Sequence, residues 1–147
     1  MDWNIIIQKY DGLKIVRNGI TQHIKITVSE AMRTTDFYID LIMFGFSRLR
    51  LIAEYCKEKN LITIRDIQVK KEDRNLGYGS LVMDILLDIG SLIGAVAYTG
   101  FLSEEDINDP NDPKHKNRLV HFYQKYGFTV DLIKRRIERN STVKDES

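Results

Sequence analysis

The chain has one cysteine, Cys56, so no internal disulfide can form, which fits a reducing compartment. Excess charge is also missing. Twenty-two Lys and Arg against 21 Asp and Glu leave a net charge of +1, giving no global electrostatic grip on nucleic acid or an anionic membrane. Long hydrophobic runs are absent as well: the longest, residues 41–46, is the size of a strand and far short of the roughly 20 residues that cross a bilayer. Met1-Asp2-Trp3-Asn4 lacks the basic stretch of an export signal, and the expectation is a cytoplasmic protein without membrane partners. No repeat and no low-complexity tract precedes the last few residues.

What is present suits one domain over residues 1–147, with 43% hydrophobic and 29% charged residues and a disordered tail expected near 140–147. The first half reads as strands. Residues 5–10 and 13–16 flank Asp11-Gly12, a tight-hairpin signal. Residues 23–28, 36–44, 48–56 and 61–69 follow as strands, the last two as an antiparallel pair, with a short helix capped by Ser29 as an alternative over 29–35. The second half alternates. Residues 79–88 carry the stripe of an amphipathic helix, 94–101 a buried strand, 102–116 a polar acidic loop, 116–126 a helix ended by Gly127, and 128–133 a last strand. Beyond residue 134 the chain tails off into charge, at most a final edge strand. The fold class is α+β, with strands predominating early.

The most informative segment runs from Ile67 to Ser80. A strand ends, a short turn follows, and Gly77 and Gly79 open a helix. The first N–H groups of a helix lack internal partners, and glycine lets an anion come close, so this chemistry suits a diphosphate. A Walker loop fails because no lysine follows Gly79, and a dinucleotide fingerprint fails at Val82. A helix start without a ligand is the bland alternative.

Arg74-Asn75-Leu76-Gly77-Tyr78-Gly79 resembles the Arg/Gln-x-x-Gly-x-Gly/Ala signature of the GNAT superfamily of acyl-CoA-dependent N-acetyltransferases. Further along, His121-Phe122-Tyr123-Gln124-Lys125-Tyr126-Gly127-Phe128 resembles that family's Phe/Leu-Tyr-x-x-x-Gly-Phe segment. The resemblance spans about residues 61–128. It implies the GNAT fold, a mixed, mostly antiparallel sheet with flanking helices. It also implies transfer of acetyl from acetyl-CoA to a primary amine without a metal. A catalytically silent CoA-binding or interaction module on the same fold is the alternative.

By that resemblance, the backbone of Ile67, Gln68 and Val69 pairs with the pantetheine arm, as a strand added to a sheet edge would. Asn75, Leu76, Gly77, Tyr78, Gly79 and Ser80 cradle the pyrophosphate, and Arg74 either touches it or is solvated. Tyr123 is the general acid for the leaving thiolate. The family's CoA-contacting asparagine falls on Lys116 here, leaving Asn117 one residue late as a candidate. Thr63 stands where many members carry a glutamate base, so the base is open among Asp66, Glu54, His115 and His121. The acidic loop, Glu104, Glu105, Asp106, Asp109 and Asp112, is either a solvated connector or an attractor of a cationic amine. The basic run from Lys134 to Arg139 reads as solvated charge, with phosphate of a tRNA or of CoA as the sharper alternative. A second copy could complete the sheet as a homodimer.

Overall fold

The computed structural model describes residues 3–74 and 76–140. Its elements are α1 (Trp3–Tyr10), β1 (Lys14–Arg17), β2 (Ile20–Glu30), β3 (Thr34–Met43), β4 (Phe46–Cys56), β5 (Leu61–Val69), α2 (Tyr78–Ile93), β6 (Ala97–Phe101), α3 (Glu104–Ile107), α4 (His115–Lys125), β7 (Thr129–Asp131) and β8 (Arg136–Asn140). The strands form one sheet in the order β1-β2-β3-β4-β5-β6-β8-β7. Among the described strands only β5 and β6 run parallel, and α2 is the crossover between them. This is the α+β architecture expected from the order of elements.

Period-two alternation builds the core. Phe37, Ile39, Leu41 and Met43 of β3 and Leu49, Leu51, Ala53 and Tyr55 of β4 are buried on one face. Val82, Met83, Ile85, Leu86, Ile89 and Ile93 of α2 are buried with them in one cluster. Gly94, with a left-handed φ of 73°, ends that helix.

Four expectations are corrected. The hairpin about Asp11-Gly12 does not form, because residues 3–10 are helical and bury Trp3, Ile6 and Tyr10 as one stripe. Trp3 packs on Phe37 with ring centroids 5.0 Å apart. Gly12 does take a positive φ, but it turns the chain out of α1 and donates its N–H to the Ile24 carbonyl at 2.7 Å. Residues 29–35 hold no helix: β2 passes directly to β3, and the Ala31 N–H donates to the Thr34 carbonyl at 2.9 Å. The acidic loop contains α3, started by a capping box between Ser103 and Asp106. The basic segment is no edge either. β8 lies between β6 and β7 with Ile137 fully buried, so β7 forms the rim of the sheet. The expected tail at 140–147 falls outside the described residues apart from Asn140, the last residue of β8.

Candidate active-site cleft

β5 and β6 pair over residues 61–64 and 97–100, and then part. Residues 66–69 keep β4 on one side and have no ladder partner on the other among the described residues. A register shift accompanies the parting. Ala53 faces Ile64 whereas Ile52 faces Asp66, so Arg65 is an extra residue in β5. The strand therefore offers an open backbone edge where it leaves its parallel neighbour.

A cleft of about 410 Å³ lies against this edge. Its walls include Ile67 and Val69 of β5, Arg74, the start of α2 from Gly77 to Ser80, and Leu119, Phe122 and Tyr123 of α4. Gly77 is the N-cap of α2 with φ 84°, and no side chain caps the helix. The first-turn N–H groups consequently lack intrahelical partners at the cleft wall, where the helix dipole is positive. A Cβ on Gly79 would touch the Phe122 ring at 3.4 Å, so a larger side chain there enters the cleft.

α4 is held against α2 by polar contacts from its last turn. The Tyr126 hydroxyl donates to the Ser80 carbonyl at 3.2 Å, and the Lys125 ammonium donates to the Ser80 hydroxyl at 3.4 Å. Gly127, at φ 84°, ends the helix, and the Phe128 N–H returns to the Tyr123 carbonyl at 3.1 Å. Phe128 then packs edge-on against Tyr123 with centroids 5.5 Å apart. Tyr123 is thus buried between Phe122 and Phe128 at 4% exposure while still lining the cleft. Burial, and then the negative charges of Asp106 and Asp66, push its phenol well above the ordinary tyrosine range. The group holds its proton throughout the neutral range.

The structure brings Ile67, Val69, Arg74, Gly77, Tyr78, Gly79, Ser80 and Tyr123 together, and leaves other candidates outside. The Gln68 side chain is exposed and donates to Asp66 at 3.3 Å, while its backbone, the part assigned to the carrier, belongs to the open stretch of β5. Leu76 is half-exposed and does not line the cleft. Asn117 is exposed on α4 and takes no part in the lining. Asn75 lies outside the described residues.

Arg74 is neither solvated nor free. Its guanidinium lies 3.5 Å from both Asp109 and Asp112, and Arg118 grips both Asp112 oxygens at 2.6 Å. Most of the acidic loop is thereby paired, since Glu104 also meets Arg135 at 3.0 Å and Asp106 meets His115. Among the candidate bases, Glu54 pairs with Arg65 and lies outside the cleft, whereas Asp66, His115 and His121 line it.

Sequence reasoning missed Arg17. This residue of the first hairpin donates to the Leu76 carbonyl at 3.2 Å and lies 5.9 Å from the Tyr78 ring centroid. No local pattern announces a contact across 59 positions.

No protein-family model matches the sequence, and no curated protein matches it. Solved structures do match. A GNAT-family acetyltransferase of Staphylococcus aureus Mu50 is 14% identical with a TM-score of 0.56, covering 72% of this chain and 68% of that one. The ribosomal-protein-S18-alanine N-acetyltransferase of Escherichia coli is 14% identical with a TM-score of 0.55, covering 76% and 71%. A GNAT-family acetyltransferase of Elizabethkingia anophelis with acetyl-CoA bound is 11% identical with a TM-score of 0.55, covering 71% and 76%. At such identities the likeness speaks to architecture. The chain has the GNAT fold. Among the described residues, no helix is long and apolar enough to cross a membrane.

Proposed function

We propose that this GNAT-fold chain is an N-acetyltransferase that moves the acetyl group of acetyl-CoA to a primary amine. One observation carries the reading: the open edge of β5, the glycine-capped start of α2 and the buried Tyr123 phenol meet in a single cleft. The likeness to acetyltransferases, one of them solved with acetyl-CoA, supports it.

The residues fit the carrier. The open edge of β5 over Ile67, Gln68 and Val69 offers backbone to which the amide-containing pantetheine arm adds like a strand. The N–H groups of Tyr78, Gly79 and Ser80 receive the diphosphate, because no side chain caps the start of α2 and Gly79 carries none of its own. The arm then runs along β5 toward the point where β6 departs, beside Tyr123.

A neutral amine attacks the thioester carbonyl, and β5 backbone N–H groups at Val69 or its neighbours stabilise the oxyanion. The carbon–sulfur bond breaks as the Tyr123 hydroxyl gives its proton to the departing thiolate. A phenol whose proton is held by burial and two nearby carboxylates is stocked for that transfer at neutral pH.

A silent CoA-binding module is the second reading, favoured by Thr63, which offers no base and does not line the cleft. Calorimetry with acetyl-CoA, followed by thiol release and product mass over a panel of amines, tests both. Binding with acetylated product supports the transferase, binding without product supports the module, and no binding at millimolar acetyl-CoA overturns both.

A further inference from the structure

The proposed reaction leaves a proton to be removed from the acceptor, and the cleft holds a constellation suited to that step. His115 opens α4, and Asp106 ends the first turn of α3. Both line the cleft with Tyr123. The Asp106 carboxylate is fixed at both ends: one oxygen accepts the Ser103 N–H at 3.1 Å, and the other lies 3.6 Å from His115 Nε2. Ser103 returns the capping bond by accepting the Asp106 N–H at 3.1 Å. Asp106 is therefore a carboxylate held by the cap within ion-pair distance, beyond hydrogen-bond length, of one nitrogen of an imidazole whose side chain is only 13% exposed.

On the basis of the transferase reading, we infer that Asp106 and His115 form the dyad that deprotonates the acceptor ammonium, with His115 as base and Asp106 as its positioning residue. An aspartate facing Nε2 favours the tautomer protonated there, leaving Nδ1 with the lone pair. Imidazole is the side chain whose charge changes nearest neutrality, so it removes an amine proton with less penalty than a carboxylate does.

The step balances. Nδ1 takes one proton from the ammonium and later passes it to solvent, and the amine nitrogen bonds to the acetyl carbon. The carbon–sulfur bond breaks, Tyr123 protonates the sulfur, and the second amine proton restores the phenol. One proton is released overall.

Other charged and titratable groups face this dyad. Asp112 comes from the loop before α4, with Lys71 on its far side, Arg118, His121 and Tyr123 from α4, and Asp66 from β5. Arg118 and Arg74 pair with Asp112, which leaves Asp106 as the carboxylate within ion-pair distance of His115 among the described residues.

Two measurements on the full chain test the dyad. Nitrogen-15 NMR of the histidines reads the tautomer without requiring turnover. The expected result is Nε2–H at His115, with a shift toward Nδ1–H in Asp106→Asn, whose amide keeps the cap but turns a donor toward the ring. Wild-type protein in the Nδ1–H form would overturn the assignment. Kinetics with the fastest amine among glycinamide, butylamine, spermidine and a lysine peptide supply the second measurement. His115→Asn should lower kcat/KM by about 10²-fold, move its acid limb toward the pKa of the amine, and leave acetyl-CoA affinity unchanged. Added imidazole should restore part of the rate in His115→Gly. Ser103→Ala, which removes the cap but keeps the carboxylate, should cost far less than Asp106→Asn. Undiminished turnover in His115→Asn sinks the dyad alone. Absence of turnover with every amine sinks the transferase reading, and the NMR result still decides the orientation of the pair.

Discussion

The guanidinium of Arg17 occupies the space that a side chain on Gly77 would need: an ideal Cβ there would lie 2.6 Å from Arg17 Nη2. Two parts of the chain far apart in sequence thus fix one turn. The glycine supplies the left-handed backbone at φ 84°, and the arginine closes over it to bond the Leu76 carbonyl.

Gly77→Ala therefore meets two penalties. A residue with a Cβ in the left-handed region costs about 1–2 kcal/mol, and the arginine must also move. The expected outcome is a Tm lower by roughly 5 °C and acetyl-CoA binding about tenfold weaker, read by thermal scanning and calorimetry. Unchanged affinity in a folded variant would place the diphosphate elsewhere.

Tyr123→Phe keeps the ring between Phe122 and Phe128 and removes only the hydroxyl. Turnover should fall about 10²-fold, with little change in acetyl-CoA affinity. The wild-type rate should also show no alkaline decline due to Tyr123 up to about pH 10, because an acid with a raised pKa stays loaded. An alkaline limb abolished by Tyr123→Phe would contradict the role assigned to its burial.

Asp88 ties α1 to α2 by accepting hydrogen bonds from Lys9 at 2.7 Å and from the Tyr10 hydroxyl. Burial alone would raise its pKa, but these donors outweigh that effect and hold it below the ordinary carboxylate range. A carboxyl depressed in the folded state adds stability above its unfolded pKa, and that stability is lost as pH falls through the folded value. Asp88→Asn should cost on the order of 1 kcal/mol at pH 7, modest because the group is partly solvated, and should flatten the acid side of a Tm-against-pH curve.

Gly90 faces Tyr98 across the helix–sheet interface, where a Cβ would come within 1.9 Å of the Tyr98 hydroxyl. Gly90→Ala should destabilise by about 1–3 kcal/mol despite the better helix propensity of alanine. Adding Tyr98→Phe should recover part of the loss in urea titrations, and additive effects would show that the two residues do not couple.

Local signals were legible. β2 to β5, α2, α4 and the αL turn at Gly127 follow from alternation, a 3.6-residue stripe and glycine placement within single windows. The glycine turn and Tyr123 belong to short motifs, so they too were readable. α1 was not, because Ile5-Ile6-Ile7 favours a strand by propensity and the helix is settled by docking Trp3 on Phe37 and Tyr10 beside Asp88. α3 carried a signal in Ser103 and Asp106, yet its acidic composition read as a connector. β8 depends on pairing with the remote β6 as well as with its neighbour β7, and no short window along the chain contains β6 and β8 together. The pairing of Arg74 with Asp109 and Asp112, the reach of Arg17 and the meeting of Asp106 with His115 are all products of tertiary folding.

Where β5 loses β6, its backbone has no further ladder partner on that side among the described residues, and in the proposed reading a thioester carrier takes that place as if it were a piece of chain. A carrier seated there becomes a temporary structural member. Amide hydrogens over residues 66–69 should then exchange more slowly with the carrier bound, and occupancy should be felt as stiffness in the half of the molecule beyond the split.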